Sequence, residues 1–566
     1  MTVELSIGAK VSVGGAELPD TISSYIEQLI VDDDLGRPAM FEITLLDPKR
    51  DIAGRAGLAK GAEVEIEVTR QGAHGDPSLV LGQVVTLEYD DDEVGVRVVV
   101  RGYAISHRLH RGRRTQVFSD ATDSDIIKQV AETAGLDTGS IEATTEVHQH
   151  VSQANLSDWA FIKSRAEARG LDVVSENGEL RLAKRSTAAD APSEFDTESP
   201  RHLVRGLNLE AFHGRISAAE QVGKIEVRGY DEARKVAVVG RADAGTTSVG
   251  IAGGTAPKVA GAFADAPAFI DVMGSVRTDR EAEDAAKALA ERIGSAFAEV
   301  EGTAHGNTAL RAGVAVRVSG VSPEFSGAYV LSRARHVIDG SGYRTQFWVN
   351  GRHDRSMLGL VASGSTTTGN VRSQPGQRQG MFGVVRGLVG NIEDPEKLGR
   401  VTVKLPWLAD EWSSNWAPVM QLGAGPASGT FFLPAVDDEV LVAFQHGDIN
   451  MPIVLGGLFN AIDKPPEYGQ FLDNGRVTGR SITSRKGHEI NFLDGDDNSG
   501  LTIHVVSDSG LPVVSIGFNA TDNKLVIQSE GNVEVQAERE IKLTANKITV
   551  QAQGDLVLKG GMVKIN

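Results

Sequence analysis

The chain has 566 residues, is 41% hydrophobic but only 5% aromatic, and carries 64 Gly, no Cys and a formal net charge of −19 at pH 7. That length accommodates about four domains of roughly 100–150 residues each. The lack of cysteine excludes disulfide staples and thiolate chemistry, and the acidic balance argues against general nucleic-acid binding, since a phosphate backbone rewards clustered Lys and Arg.

The N-terminus, Met1-Thr-Val-Glu-Leu-Ser, has no basic stretch followed by an apolar one, so no signal peptide is expected and synthesis in the cytoplasm is the default. No apolar run approaches the roughly 20 residues needed to span a bilayer. Residues 1–105 read as mostly β, with Ala62-Glu-Val-Glu-Ile-Glu-Val68 alternating and Val94-Gly-Val-Arg-Val-Val-Val100 running apolar. His107-Arg-Leu-His-Arg-Gly-Arg-Arg114 is a dense basic run in an acidic chain. It reads either as a contact with an acidic partner or as a solvated surface turn. A helix opens at Asp120-Ala-Thr-Asp123, with Asp123 as the expected N-cap. His148-Gln-His150 has the i, i+2 spacing of a strand-borne metal pair. With no further ligands nearby it reads as an exposed polar segment. A second helix follows Ser157 or Asp158 and ends near Gly170, with Trp159, Phe161 and Ile162 as core. A third, alanine-rich helix runs from Thr278-Asp279 to about Gly294, and Val314 to Val349 returns to β.

Residues 362–380 form a polar linker. Residues 381–460 read as a compact all-β module with four basic and nine acidic residues, net −5, which opposes a groove for single-stranded nucleic acid. A connector with Pro465-Pro466 precedes a repeat, irregular at first and regular from Leu525. Apolar pairs recur at Leu525/Ile527, Val533/Val535, Ile541/Leu543, Ile548/Val550, Leu556/Leu558 and Val563/Ile565, with steps of 7 or 8 residues. Small residues keep the same beat at Ser529, Ala537, Ala545, Ala552 and Gly560. A fixed short period marks a β-helix rather than a closed domain. So thin a column cannot enclose a core alone, and several copies are expected to wind together. At one strand level per unit, the regular part would extend about 25–30 Å. No Gly-x-Ser-x-Gly elbow or Walker-type loop occurs.

The 381–460 module carries a resemblance. Gly383-Val-Val, Asp394-Pro-Glu-Lys-Leu-Gly399-Arg400-Val-Thr-Val-Lys-Leu-Pro406-Trp407, Trp416-Ala-Pro418, Phe432-Leu-Pro434, Asp438-Glu439, Gly447-Asp448, Pro452-Ile-Val-Leu-Gly456 and Asn460 follow in order. Together they resemble the OB-fold core of VgrG spike proteins of type VI secretion systems and of phage baseplate spikes. Ser157-Asp158-Trp159-Ala-Phe161-Ile and Tyr329-Val-Leu-Ser-Arg-Ala-Arg-His336 resemble the family's hub, and Lys486-Gly-His-Glu-Ile-Asn-Phe-Leu-Asp its entry to the β-helix.

The resemblance implies a mainly β protein with an α+β hub: tandem β-barrels with a few helices, an OB-fold barrel and a C-terminal intertwined trimeric β-helix. The corresponding division is 1–370 hub with two tube-like barrels, 371–380 linker, 381–460 OB collar, 461–480 connector and 481–566 needle. Gly399, Arg400, Pro406, Trp407, Pro434, Glu439, Gly447, Asp448, Pro452, Gly456 and Asn460 would be structural, with Pro406-Trp407 marking a strand end under a packed indole. The needle core would be Leu525, Ile527, Val533, Val535, Ile541, Leu543, Ile548, Val550, Leu556 and Leu558. The implied role is the central spike of a contractile injection system, in which a trimeric hub joins a hexameric inner tube to a needle that punctures the target envelope. Implied partners are two further copies, an Hcp-like tube protein, baseplate proteins, possible toxin cargo, and a PAAR-type tip protein on Met562, Val563, Ile565 and Asn566. No cofactor, metal or nucleic acid is expected, and a membrane only on puncture. The chain stops inside its repeat, as a minimal spike of a particle that is fired or released would. About twenty residues between collar and needle are too few for the muramidase of some phage spikes. That disfavours the alternative of a cell-wall-degrading hub enzyme, and the acidic collar disfavours a nucleic-acid-binding OB protein.

Overall fold

The computed structural model describes residues 8–69, 78–93, 95–176, 178–219, 221–231, 234–262, 268–272, 276–350, 383–466 and 469–564. The expected 371–380 linker lies outside them. The chain divides into two compact units, Met1–Leu458 and Phe459–Asn566. Strands dominate both, and no helix among the described residues is long and apolar enough to cross a membrane.

In the first unit, alternation does what its period dictates. Along Glu63–Thr69, Val64, Ile66 and Val68 are fully buried while the intervening glutamates face outward. This strand belongs to an eleven-stranded sheet. Its order is Leu209–Ile216, Ala298–His305, Gly342–Val349, Arg333–Asp339, Ile26–Asp34, Arg37–Leu46, Gly95–Ala104, Ser78–Asp92, Glu63–Thr69, Gly8–Val13 and Ala16–Glu17. Four strands therefore come from beyond residue 200 and seven from before residue 105. The two parts keep separate cores, one around Phe41, Ile43 and Val100, the other around Phe297, Tyr329 and Phe347.

The sequence suggested two barrels; the structure stitches them into one sheet. The seam is the antiparallel pairing of Ile26–Asp34 with Arg333–Asp339. Asp32 Oδ1 accepts from Arg333 Nε at 2.6 Å, and Oδ2 accepts from Arg335 Nη2 at 2.9 Å. The Arg333 guanidinium lies 4.7 Å from the Trp348 ring centre.

Residues 105–184 insert helices α1 (Asp123–Thr133) and α2 (Asp158–Ala168) around Leu109, Ile126, Ile127, Trp159, Phe161 and Ile162. The aromatic residues of α2 are core, as expected, and Ser157 caps that helix by accepting from Ala160 N. Asp123 is not the N-cap of α1. Thr122 caps it, in a box with Asp125. Asp123 is instead released to turn its carboxylate inward. Helix α3 (Asp279–Gly294) starts at the Thr278 cap and packs on the strands Lys224–Asp231 and Val236–Asp243. Gly240 permits that approach, since a Cβ there would stand 2.0 Å from the Ala282 backbone.

The strands Ala417–Pro418, Arg400–Lys404, Val384–Asn391, Glu439–Phe444 and Pro452–Gly457 pair in that order. A parallel bridge between Val419 and Val454 returns the first edge to the last, so the barrel closes. Trp412 fills its core. This barrel rests on the helical insert: Trp412 Nε1 lies 3.3 Å from Ser152 Oγ, and Ser152 N donates to Asn450 Oδ1 at 3.0 Å.

The second unit is a five-stranded antiparallel meander, Gly479–Thr483, Glu489–Asp494, Ser499–Val506, Pro512–Asn519 and Lys524–Ser529. Among the described residues after Glu530, the chain makes no strand pairing with itself.

Candidate functional site

The meander has one apolar face. In a strand, residues i and i+2 share a face, so the pairing register decides which side chains meet. It places Ile482 opposite Ile490, Ile490 opposite Ile503, Ile503 opposite Ile516 and Ile516 opposite Ile527. Five isoleucines thus cross all five strands in one row. A second row on the same face runs Phe492, Leu501, Phe518 and Leu525. The opposite face carries Ser481, Asn491, Thr502, Gly517 and Val526. Among the described residues these rows stand open: Ile482 is 46% exposed, Phe492 48% and Ile527 58%, with Leu501, Ile503 and Ile516 half-buried.

The sequence expectation located Leu525 and Ile527 but treated residues before them as an irregular start. The steps from Ile482 through Ile490, Ile503, Ile516 and Ile527 are 8, 13, 13 and 11 residues. Unequal turns hide the row from any search for a fixed period. The two-residue alternation inside each strand is the signal that remains. Beyond the meander, Val533, Val535, Ile541, Leu543, Ile548, Val550, Leu556, Leu558, Met562 and Val563 are all exposed. Ile565 and Asn566 lie outside the described residues.

The collar residues singled out by sequence sit at turns and strand ends. Gly399 has φ +73° and Gly447 φ +76°. Arg400 Nη2 reaches Asp394 Oδ1 at 2.7 Å, and Asp394 Oδ2 also accepts from Leu398 N at 2.8 Å. That arginine contact, with the backbone amides, holds the Asp394 carboxyl well below its ordinary range. Arg386 donates to Glu439 at 3.1 Å, Asp448 accepts from Asn450 N, and Asn460 Oδ1 accepts from Asp463 N. Pro452 and Gly456 belong to the last barrel strand, Pro434 precedes the Glu439–Phe444 strand, and Pro406 follows Lys404 just past a strand end. Trp407 departs from expectation. Its indole is 54% exposed and donates to Arg386 O at 2.9 Å; the packed indole is Trp412. Sequence reasoning also missed an exposed apolar arm on the collar, where Met420, Leu422, Phe431 and Phe432 face solvent.

His148 is a second departure. It is mostly buried and lies 3.1 Å from Asp123 Oδ2. Arg165 and Arg169 reach the same carboxylate at 2.5 and 2.7 Å. Burial alone would raise the Asp123 pKa; the His148 hydrogen bond and the two arginines hold it well below the usual range. The histidine therefore belongs to an ion cluster joining α1 to α2, and His150 bonds Ser152 Oγ at 3.1 Å.

The family model described as the Alg8 N-terminal domain matches residues 4–340. The model described as the type VI secretion system/phage-baseplate injector OB domain matches residues 385–459. The chain is 22% identical over 507 residues to the type VI secretion system spike protein VgrG1b of Pseudomonas aeruginosa, covering 85% of this chain and 65% of that one. It is 30% identical over 128 residues to VgrG2a of the same organism, covering 22% of this chain and 15% of that one. Both matches span less than two thirds of the relative's length. Among solved structures, a chain of the lidded Francisella PdpA–VgrG complex aligns with TM-score 0.55 and 9% identity, over 93% of this chain and 81% of that one.

Proposed function

The chain belongs to the family of the Alg8 N-terminal domain and is a VgrG-like spike protein; from that premise we propose that three copies assemble into the structural spike of a contractile injection machine. The observation that carries this reading is the isoleucine row. A one-sided sheet needs cover for its apolar face, and three such faces turned to a common axis supply it without any other protein. The segment after Glu530 extends the same logic. Among its described residues the backbone makes no strand pairing within the chain; its apolar pairs and backbone groups would find partners on neighbouring copies, making a rod that cannot be peeled apart one chain at a time.

The first unit would be the hub that meets the inner tube. Its sheet has free edges at Leu209–Ile216 and along residues 88–92, clear of Val85, among the described residues. Edge pairing between copies would close the hub into a ring, and the two halves of each chain would present six similar units from three chains. That adapts a three-fold spike to a six-fold Hcp-like tube. The needle transmits force mechanically and has no catalytic role. Met562, Val563 and the residues after them are assigned to a PAAR-type tip protein, which would hold any metal or toxin cargo. The acidic collar is structural and takes no nucleic acid.

Light scattering of the purified full chain at micromolar concentration tests the assembly. A single species of three times the chain mass is expected; a monodisperse monomer overturns it. Co-purification with the tube protein should persist when residues 531–566 are deleted. Its loss would place the tube contact on the needle instead.

A further inference from the structure

The basic run His107–Arg114 has a structural setting that the spike role does not use. It overhangs a cleft of about 710 Å³ on the first unit. The apolar lining comes from Pro38, Met40, Val84, Val85 and Tyr103. Val85 is the extra residue of a β-bulge in the strand Ser78–Asp92, where the register slips between Val84 and Thr86. The bulge turns its side chain outward, and Val85 and Tyr103 are 41% and 40% exposed.

The run itself is fixed. His107 Nε2 lies 3.2 Å from Gln83 Oε1, and Arg108 Nε donates to the same oxygen at 3.3 Å. Arg108 also donates to Gly135 O at 3.0 Å, and Arg114 lies 3.3 Å from Asp158. These two arginines serve the fold. Arg111 does not: it is exposed and lines the cleft. Arg333, held by Asp32 and Trp348, lines the cleft as well, as do Arg37 and the carboxylates of Asp32 and Asp34, so three arginines stand there against two carboxylates.

We propose that this cleft docks an extended segment of a partner protein in which an apolar side chain is flanked by carboxylates. A free anion would leave Val85 and Tyr103 uncovered, and a wholly apolar segment would leave Arg111 unanswered. In a chain of net charge −19, a cleft where arginines outnumber carboxylates three to two, and where Asp32 is already taken up by Arg333 and Arg335, favours an acidic segment that the rest of the surface repels. The volume falls within the roughly 300–1,000 Å³ of ordinary ligand pockets, so a few side chains fill it.

The full chain is titrated into a fluorescein-labelled hexapeptide of alternating aspartate and phenylalanine, and into its lysine–phenylalanine counterpart, with anisotropy as the readout. The acidic peptide is expected to bind at least tenfold more tightly. Arg111→Glu and Val85→Asp should each weaken it at least fivefold. Lys258→Glu, an exposed charge reversal away from the cleft, should leave it unchanged. Equal affinity for the two peptides, no binding at all, or the same loss with Lys258→Glu as with Arg111→Glu would overturn the proposal. Each variant is checked by light scattering. Failure of peptide binding in an intact trimer therefore refutes the cleft alone and leaves the spike reading standing.

Discussion

Ile503 sits in the middle strand and the middle of the isoleucine row, between Ile490 and Ile516, and replacing it with aspartate tests the proposed trimer at its centre. The apolar face holds nine large side chains: the five isoleucines with Phe492, Leu501, Phe518 and Leu525. Six stand more than a third open, from Ile490 at 37% to Ile527 at 58%, while Leu501, Ile503 and Ile516 are half-buried. Fully burying such a side chain is worth about 1.5–3 kcal/mol, so covering the open half yields about 1 kcal/mol each. Six such side chains per chain and three chains give on the order of 20 kcal/mol from this face, to which the three half-buried ones add less. Association opposes it with about 4–15 kcal/mol for each partner immobilised. Two partners make that about 8–30 kcal/mol, so this face roughly offsets association and leaves little surplus. Ile503→Asp removes at most about 3 kcal/mol of it across three chains and turns three unpaired carboxylates toward the proposed axis, each costing several kcal/mol. The surplus is then gone. Light scattering should show loss of the trimer, and limited proteolysis should show loss of a resistant C-terminal fragment. Thr502→Asp, one residue away on the opposite face, should leave both intact. An intact trimer with Ile503→Asp, or equal damage from Thr502→Asp, would refute the assignment of faces.

Three further predictions concern the fold. Asp123→Asn should destabilise the helical insert by about 3–5 kcal/mol at pH 7, because it leaves the buried Arg165 uncompensated; urea unfolding followed by tryptophan emission reads it through Trp159. The folded pKa of Asp123 is depressed, so its contribution is present above the unfolded value of about 4 and lost as pH falls through the folded value; the gap between wild type and Asp123→Asn should narrow below pH 4. Gly240→Ala forces a methyl into the Ala282 backbone and should cost about 1–3 kcal/mol, read as faster hydrogen exchange along α3. Arg400→Ala should lower the collar's unfolding midpoint by leaving the nearly buried Asp394 carboxylate without its cation, at about 1–3 kcal/mol.

Much of this protein was legible in the sequence because the deciding interactions are local. Two-residue alternation marked Glu63–Thr69 as a half-buried strand, Thr278 before Asp279 marked the start of α3, and the 7–8-residue beat after Leu525 announced a surface that one chain cannot cover. What the sequence could not decide were matters of distance along the chain. Asp123 looks like a helix cap until Arg165 and Arg169, more than forty residues away, are brought to its carboxylate. Trp407 and Trp412 are equally good candidates for a barrel core, and only the folded barrel shows Trp412 buried within it and Trp407 outside. The two hub regions read as separate barrels because the pairing that unites them joins residues about three hundred apart. The isoleucine row is set by strand register. Register depends on the length of each turn, so five residues at irregular intervals become one line only when the sheet is formed.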